Sequence, residues 1–499
     1  MSRPRPLRRQ GALLLASLLV LVHVMTAPAH AEEYVPVTGS GSTWSQVAID
    51  QWSRDIKKNG ITVNYTGSGS SAGRTDFRNA QTDFGVSEIP FQLHPEDGST
   101  PETTTRPFAY MPIVAGGTSF MYHLTRNGKR VENLRLSGET IAKIFTGKIR
   151  NWNDPAITRD MNGIAMPNKK ITPVTRSDGS GTTAQFTLWM DTQYPDLWRP
   201  FFKKKGLTSF FPTLPGGKSQ NGSNGVAGYV AASYGDGAIT YVEYAYALNA
   251  NYPVVKVKNK SGYYVLPTAS NVAVGLTKAE INSDLTQKLE GVYDNADKRA
   301  YPLSSYSYMI VPTTTAAPFT RDKGKTLSTF IDYFLCAGQQ KAPELGYSPL
   351  TKNLVQEAYK QVAKIPGHIE VGSVALDNCH NPTFEGGKNV LLETAKFPEA
   401  CDQDGKVPCG EAGAGSTSPT TKPTTSAGPS AGPTAGGNLP DVAAQEDSTA
   451  FAQPVEVASK SGYGLALGAV SAGVLLAALI LPPLFTAHLR GRRRREGGL

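Results

Sequence analysis

The chain has 499 residues, with 39% hydrophobic, 9% aromatic and 18% charged side chains. Such a chain can build two or three globular cores, and the balance excludes collagen, a coiled coil and wholesale disorder. The formal charge of +9 sits at the two ends. Residues 1–31 carry four arginines and no acid, and the last ten carry five arginines against Glu496, which leaves +1 for everything between. The middle therefore gives no reason to expect a nucleic acid as partner.

In chain order, Arg3, Arg5, Arg8 and Arg9 precede an apolar run from Gly11 to Val24 and then Ala29-His30-Ala31. A positive region, an apolar run and a small-x-small site predict a secretory signal over 1–31, cleaved before Glu32. No cysteine follows the apolar run, so the reading predicts no lipid at the mature N-terminus.

The next stretches repeat one device. Thr38-Gly-Ser-Gly-Ser-Thr43 opens a helix with Trp44, Val47, Ala48, Trp52 and Ile56 near helical spacing. Ile61–Tyr65 alternates as a strand and runs into Gly67-Ser-Gly-Ser-Ser-Ala-Gly73, followed by a short helix with Arg74 and Arg78. Ile171–Thr175 runs into Arg176-Ser-Asp-Gly-Ser-Gly-Thr182 and a helix through Phe186 and Trp189. A strand, a glycine loop and a helix start converge backbone N–H groups and small hydroxyls at the positive end of a helix dipole, where an anion is favoured. Each loop alone also reads as a turn with an N-cap; three together favour a shared anion site. None is a P-loop or fits the dinucleotide spacing. Gly69-Ser70-Ser71-Ala72-Gly73 does fit the GxSxG nucleophile elbow, so a serine hydrolase using Ser71 with His368 or His380 is the rival enzyme reading.

Further on, Cys336, Cys379, Cys401 and Cys409 lie on the exported side and predict two disulfides. Three pairings are open; 336 with 379 and 401 with 409 is favoured. The spacings fit no zinc pattern, and no metal or cofactor is expected. Residues 410–460, rich in Ser, Thr, Pro and Gly, predict a disordered stalk spanning roughly 40 Å as a coil. From Ser461 to Ala487 no charge occurs, and Arg490 and Arg492–Arg495 follow. That pattern predicts one transmembrane helix over 461–487 and a basic cytoplasmic tail over 488–499, with the rest of the chain outside the cell membrane.

The loops, together with Asp83-Phe-Gly-Val-Ser-Glu88, Leu136–Trp152 and Gly237-Ala-Ile-Thr-Tyr-Val-Glu-Tyr-Ala-Tyr246, resemble the phosphate-binding protein of the Pst-type ABC transporter from about Thr38 to Pro349, in family order. The resemblance implies an α/β, two-lobed, type II periplasmic-binding-protein fold with a hinge over residues 32–409. Lobe one would be about 32–110 and 305–409, and lobe two about 111–304. It also implies a monomeric receptor, no catalysis, and delivery of inorganic phosphate to an ABC permease; a membrane-anchored oxyanion sensor or surface module is the alternative without transport. The phosphate site carries over as Thr43, Trp44, Ser70, Glu88, Arg176, Asp178, Ser180, Gly181 and Thr182. Arg176 supplies the positive charge, Asp178 orients it, and Trp44 contributes a backbone N–H where the family usually has Phe. Glu88 stands where the family has Asp, the carboxylate that accepts a proton from the ligand and rejects sulfate.

Overall fold

A computed structural model describes residues 34–370 and 379–410. The expected signal, stalk, membrane span and tail lie outside these residues. Among the described residues no helix is long and apolar enough to cross a membrane.

The first glycine loop is the end of β1 (Val37–Gly41), and α1 (Gln46–Lys57) follows, burying Ala48, Ile49, Trp52 and Ile56. The second lies between β2 (Val63–Thr66) and α2 (Ser70–Arg78), and β3 (Phe84–Ser87) returns to the sheet. β1 pairs in parallel with both β2 and β3. These strand-helix-strand units with parallel strands place the ends of β1 and β3 and the start of α2 side by side. Close packing makes this possible at Gly73. A Cβ there would lie 2.4 Å from Gly41 Cα and 2.7 Å from the Ser40 carbonyl oxygen. Backbone cannot yield as a side chain can, so Gly73→Ala is expected to destabilise the fold by about 1–3 kcal/mol, read as a lowered midpoint in denaturant.

β4 (Phe108–Tyr122) is 15 residues long and almost wholly buried. The third loop joins β5 (Thr172–Arg176) to α3 (Gly181–Gln193). β6 (Lys218–Gln220), α4 (Gly222–Ala231), β7 (Ala238–Glu243) and α5 (Ala269–Leu276) follow. β8 (Ser304–Pro312) then runs antiparallel to β4 with a register break between Tyr306 and Tyr308, and α6 (Arg321–Leu335) follows it. The main sheet has the order β2-β1-β3-β8-β4-β7-β5-β6.

This single sheet serves two separate cores. Met111, Ile113, Val114 and Ala115 of β4 pack with Trp44, Trp52, Phe77, Tyr308 and Phe334. Phe120 and Tyr122 of the same strand pack with Trp152, Phe186, Trp198, Tyr241 and Tyr301. On the other face, Met121 joins Val174, Val226 and Val242. β4 thus runs from one core into the other, and beside it the chain passes from Leu303 in the second core to Tyr306–Val311 of β8 in the first.

The disulfides are Cys336–Cys379 and Cys401–Cys409, the pairs favoured on sequence. The end of the described chain reaches the second core. α7 (Val390–Thr394) lies against α5, and Arg299 donates to the Leu392 carbonyl at 3.1 Å. Lys256 Nζ holds both carboxylate oxygens of Asp402, at 2.7 and 2.8 Å, and Lys258 meets Asp404. Ion pairs thus hold this end to the second core's small sheet of Arg135–Leu136, Lys256–Lys258 and Tyr264–Val265, while Leu392 and Ala395 pack against Val274 and Ala300.

Candidate anion site between the two cores

All three glycine-serine loops meet where the two cores adjoin. Ser70 begins α2 after Gly69, whose φ of +93° suits glycine. Its hydroxyl donates to Glu88 Oε2 at 2.7 Å and accepts the Gly181 N–H at 3.1 Å. One serine thus connects the start of α2 with the start of α3. Ser180 is the N-cap of α3, its Oγ accepting the Thr183 N–H at 3.1 Å. The Thr182 hydroxyl is buried there without a hydrogen-bond partner. An unmatched buried hydroxyl beside a helix start is a ready donor to an anion.

Arg176 ends β5 with its side chain 2% exposed. Its Nε donates to Asp178 Oδ1 at 2.7 Å, Nη2 pairs with Asp178 Oδ2, and Nη1 reaches Ser223 Oγ at 3.3 Å. The forked ion pair fixes the guanidinium plane. Burial pushes the Asp178 carboxyl up, but the bonds from Arg176 and the Gly222 N–H outweigh it and hold the group below the ordinary carboxylate range. Its stabilising contribution is therefore complete above the ordinary Asp range and is lost as the pH falls through the lowered value.

Glu88 follows β3 and is fully buried. Oε1 accepts from the hydroxyls of Ser42 and of Ser307, the latter at 2.9 Å; Oε2 faces Ser70. A Cβ on Gly181 would lie 1.9 Å from Oε2, so only glycine lets the helix start approach the carboxylate so closely. Thr43 sits at the opposite wall. Its hydroxyl shares a hydrogen bond with Ser223 Oγ at 2.8 Å, and its carbonyl accepts from Tyr246.

The nine residues expected from sequence lie together in this largely buried region. The Trp44 N–H, expected to reach the ligand, donates to Ser42 Oγ at 2.9 Å. Residues that the sequence reading missed are Ser42, Ser223, Ser307 and Gln185, whose amide nitrogen donates to the Glu88 carbonyl at 2.6 Å. Ser223 could have been found, because Asn221-Gly-Ser-Asn-Gly225 is a fourth glycine-serine loop opening a helix. Ser71, the nucleophile of the rival reading, donates its backbone N–H to the Gly179 carbonyl at 3.0 Å. Its hydroxyl lies 3.4 Å from Arg74 Nη2, and the His368 ring bonds to the Ile365 carbonyl.

A second buried carboxyl stands behind the site. Glu243, at the end of β7, accepts the Ala245 N–H at 2.6 Å, while its Oε1 has no partner. Burial pushes this carboxyl well above the usual range. A raised acid stabilises the fold below the unfolded value and loses that contribution as the pH rises toward the folded one. Glu243→Gln, neutral at every pH, is accordingly expected to raise stability at pH 7. Denaturant midpoints at pH 5 and pH 8 check this: the gap between variant and wild type should widen at the higher pH.

A family model described as a PBP superfamily domain matches residues 26–337. The phosphate-binding protein PstS of Xylella fastidiosa is 33% identical over 340 residues, covering 67% of this chain and 88% of that protein. PstS of Pasteurella multocida is 31% identical over 327 residues, covering 65% and 89%. Among solved structures, a phosphate-binding protein from Stenotrophomonas maltophilia aligns with a TM-score of 0.49 at 16% identity, over 71% of this chain and 99% of that one.

Proposed function

Because the chain belongs to the PBP superfamily, and within it to the PstS phosphate-binding proteins, we propose that it is an extracytoplasmic receptor for inorganic phosphate. The observation that carries this reading is one buried constellation. The Arg176 guanidinium, the start of α3 with Gly181 and Thr182, and the Ser70 hydroxyl converge on the same space as the Glu88 carboxylate.

A tetrahedral oxyanion needs many donors, and these groups supply them. Arg176 neutralises charge, the α3 terminus adds its dipole, and the Thr182 hydroxyl is an unmatched donor; the Ser70 hydroxyl and the Gly181 N–H, which bond to Glu88 and to Ser70, must turn to the ligand as it enters. Thr43 closes the opposite wall. Asp178 orients Arg176, Ser180 caps α3, and Trp44 holds Ser42. Glu88 is the one acceptor facing the ligand. Phosphate at neutral pH carries a proton to give it; sulfate carries none and meets the carboxylate as one lone pair against another. Oxyanion capture of this kind breaks no bond, and the receptor is not an enzyme.

The two cores, joined by β4 and β8, correspond to two lobes that open for entry and close on the ligand. Loaded receptor would then dock on an ABC permease. The apolar stretch 461–487 and its basic flank would hold it at the membrane on the stalk 410–460. Ligand-induced stabilisation tests the reading. Phosphate at a hundred times its dissociation constant should add about 2.7 kcal/mol of stability, and equal sulfate next to nothing. Identical melting curves with and without phosphate would argue against a receptor.

A further inference from the structure

We propose that Ser307 is a specificity-determining positioning residue that gives the two oxygens of Glu88 separate tasks; this rests on the phosphate reading. Ser307 lies on β8, fully buried, with its hydroxyl 2.9 Å from Glu88 Oε1. Ser45 Oγ is 3.1 Å from the same hydroxyl. A hydroxyl has one proton, and of the three acceptors within its reach, Glu88 Oε1, Ser45 Oγ and the Ser87 carbonyl at 3.5 Å, the carboxylate is the nearest and the strongest. Ser42 bonds Oε1 as well, while Oε2 faces Ser70 and the start of α3. A glutamate has one more rotatable bond than an aspartate. Anchored at Oε1, Glu88 presents Oε2 alone, in one direction; released, it could swing so that an unprotonated anion enters beside it.

Titrations of the full chain in detergent with phosphate and with sulfate at pH 6 and pH 8 test this, on wild type, Ser307→Ala and the isosteric weak donor Ser307→Cys. The expected result is a sulfate-to-phosphate affinity ratio raised at least tenfold in Ser307→Ala, a smaller rise in Ser307→Cys, and a changed pH dependence for phosphate, which a loss of packing alone would not produce. Should Ser307→Ala not fold, the smaller rise in Ser307→Cys, still more than twofold, carries the test. A ratio within twofold of wild type in the folded variants overturns the role of Ser307 while leaving the receptor standing. A wild type that ignores phosphate removes both.

A separate observation carries a second inference. We infer that residues 379–410 form a strap that links the two cores on the outside and limits how far they separate. At one end Cys379 is bonded to Cys336, Asn381 and Thr383 donate to the Leu350 carbonyl at 3.1 and 2.6 Å, and Phe384 is part of the first core. At the other, the buried Arg135 guanidinium donates to the carbonyls of Cys401 and Lys406 at 2.9 and 2.7 Å, Lys256 pairs with Asp402, and Asn133 donates to the Cys409 carbonyl at 2.8 Å. Arg299 holds the carbonyl of Leu392 and covers the Phe397 ring at 4.7 Å. Only residues 385–389 lie between Phe384 and α7.

An engineered protease site within 385–389 tests this, because a single cut there leaves both disulfides and both sets of anchors in place and removes only the link. Amide hydrogen exchange of the full chain without added ligand reads the result at Ser71 and Gly181, whose N–H groups bond across the two cores. Exchange at both is expected to accelerate at least fivefold after the cut. Rates within twofold of the uncut protein would show that the segment does not restrain opening.

Discussion

Replacing Arg176 by alanine is expected to abolish phosphate binding or weaken it by two orders of magnitude or more. Two losses combine. The ligand loses its buried cation, and removing a buried hydrogen-bonded charge partner costs about 2–5 kcal/mol. Asp178, only 8% exposed, keeps its bond from the Gly222 N–H but loses the cation that offset its burial, leaving a negative charge beside the incoming anion. Another buried arginine in the first core, Arg74, is already committed to Glu102 and Ser87. Arg176→Lys should recover part of the affinity but not the forked geometry. Titration of folded variants decides this, and an Arg176→Ala protein that binds phosphate within threefold of wild type would take the third glycine loop out of the site.

Glu88→Gln is the second large expected effect, and it changes selectivity more than affinity. With Ser42 and Ser307 still donating to the amide oxygen, the NH₂ takes the place of Oε2 and becomes a donor toward the ligand. Phosphate should bind with modest loss. Sulfate should gain at least tenfold, because an unsatisfied buried acceptor costs about 1–3 kcal/mol, and more when charged. Equal sulfate-to-phosphate ratios in variant and wild type, at constant pH and ionic strength, would remove Glu88 as the proton acceptor.

Much of the site was legible because glycine and serine state their purpose locally. Gly67–Gly73 and Arg176–Thr182 signal helix starts with free N–H groups, and Ser70, Ser180 and Gly181 take up those positions. The even count of four cysteines signalled two disulfides, while three pairings stayed open until Cys336–Cys379 and Cys401–Cys409 were seen. Ser307 left no such signal: one of three serines in a strand buried along its whole length reads as filler until β3 is known to lie beside it. The strap was equally silent. Lys256 and Asp402 are 146 residues apart, and nothing local to either names the other. β4 shows the same limit in another form, since a 15-residue apolar strand does not reveal that its two halves belong to different cores.

The most direct test of the receptor assignment is calorimetric titration of the wild-type chain with phosphate and with sulfate at pH 7. One phosphate per chain, bound at least a hundredfold more tightly than sulfate, is the result that the Arg176, α3 and Glu88 arrangement predicts. Absent phosphate binding, or sulfate bound as tightly as phosphate, would contradict it.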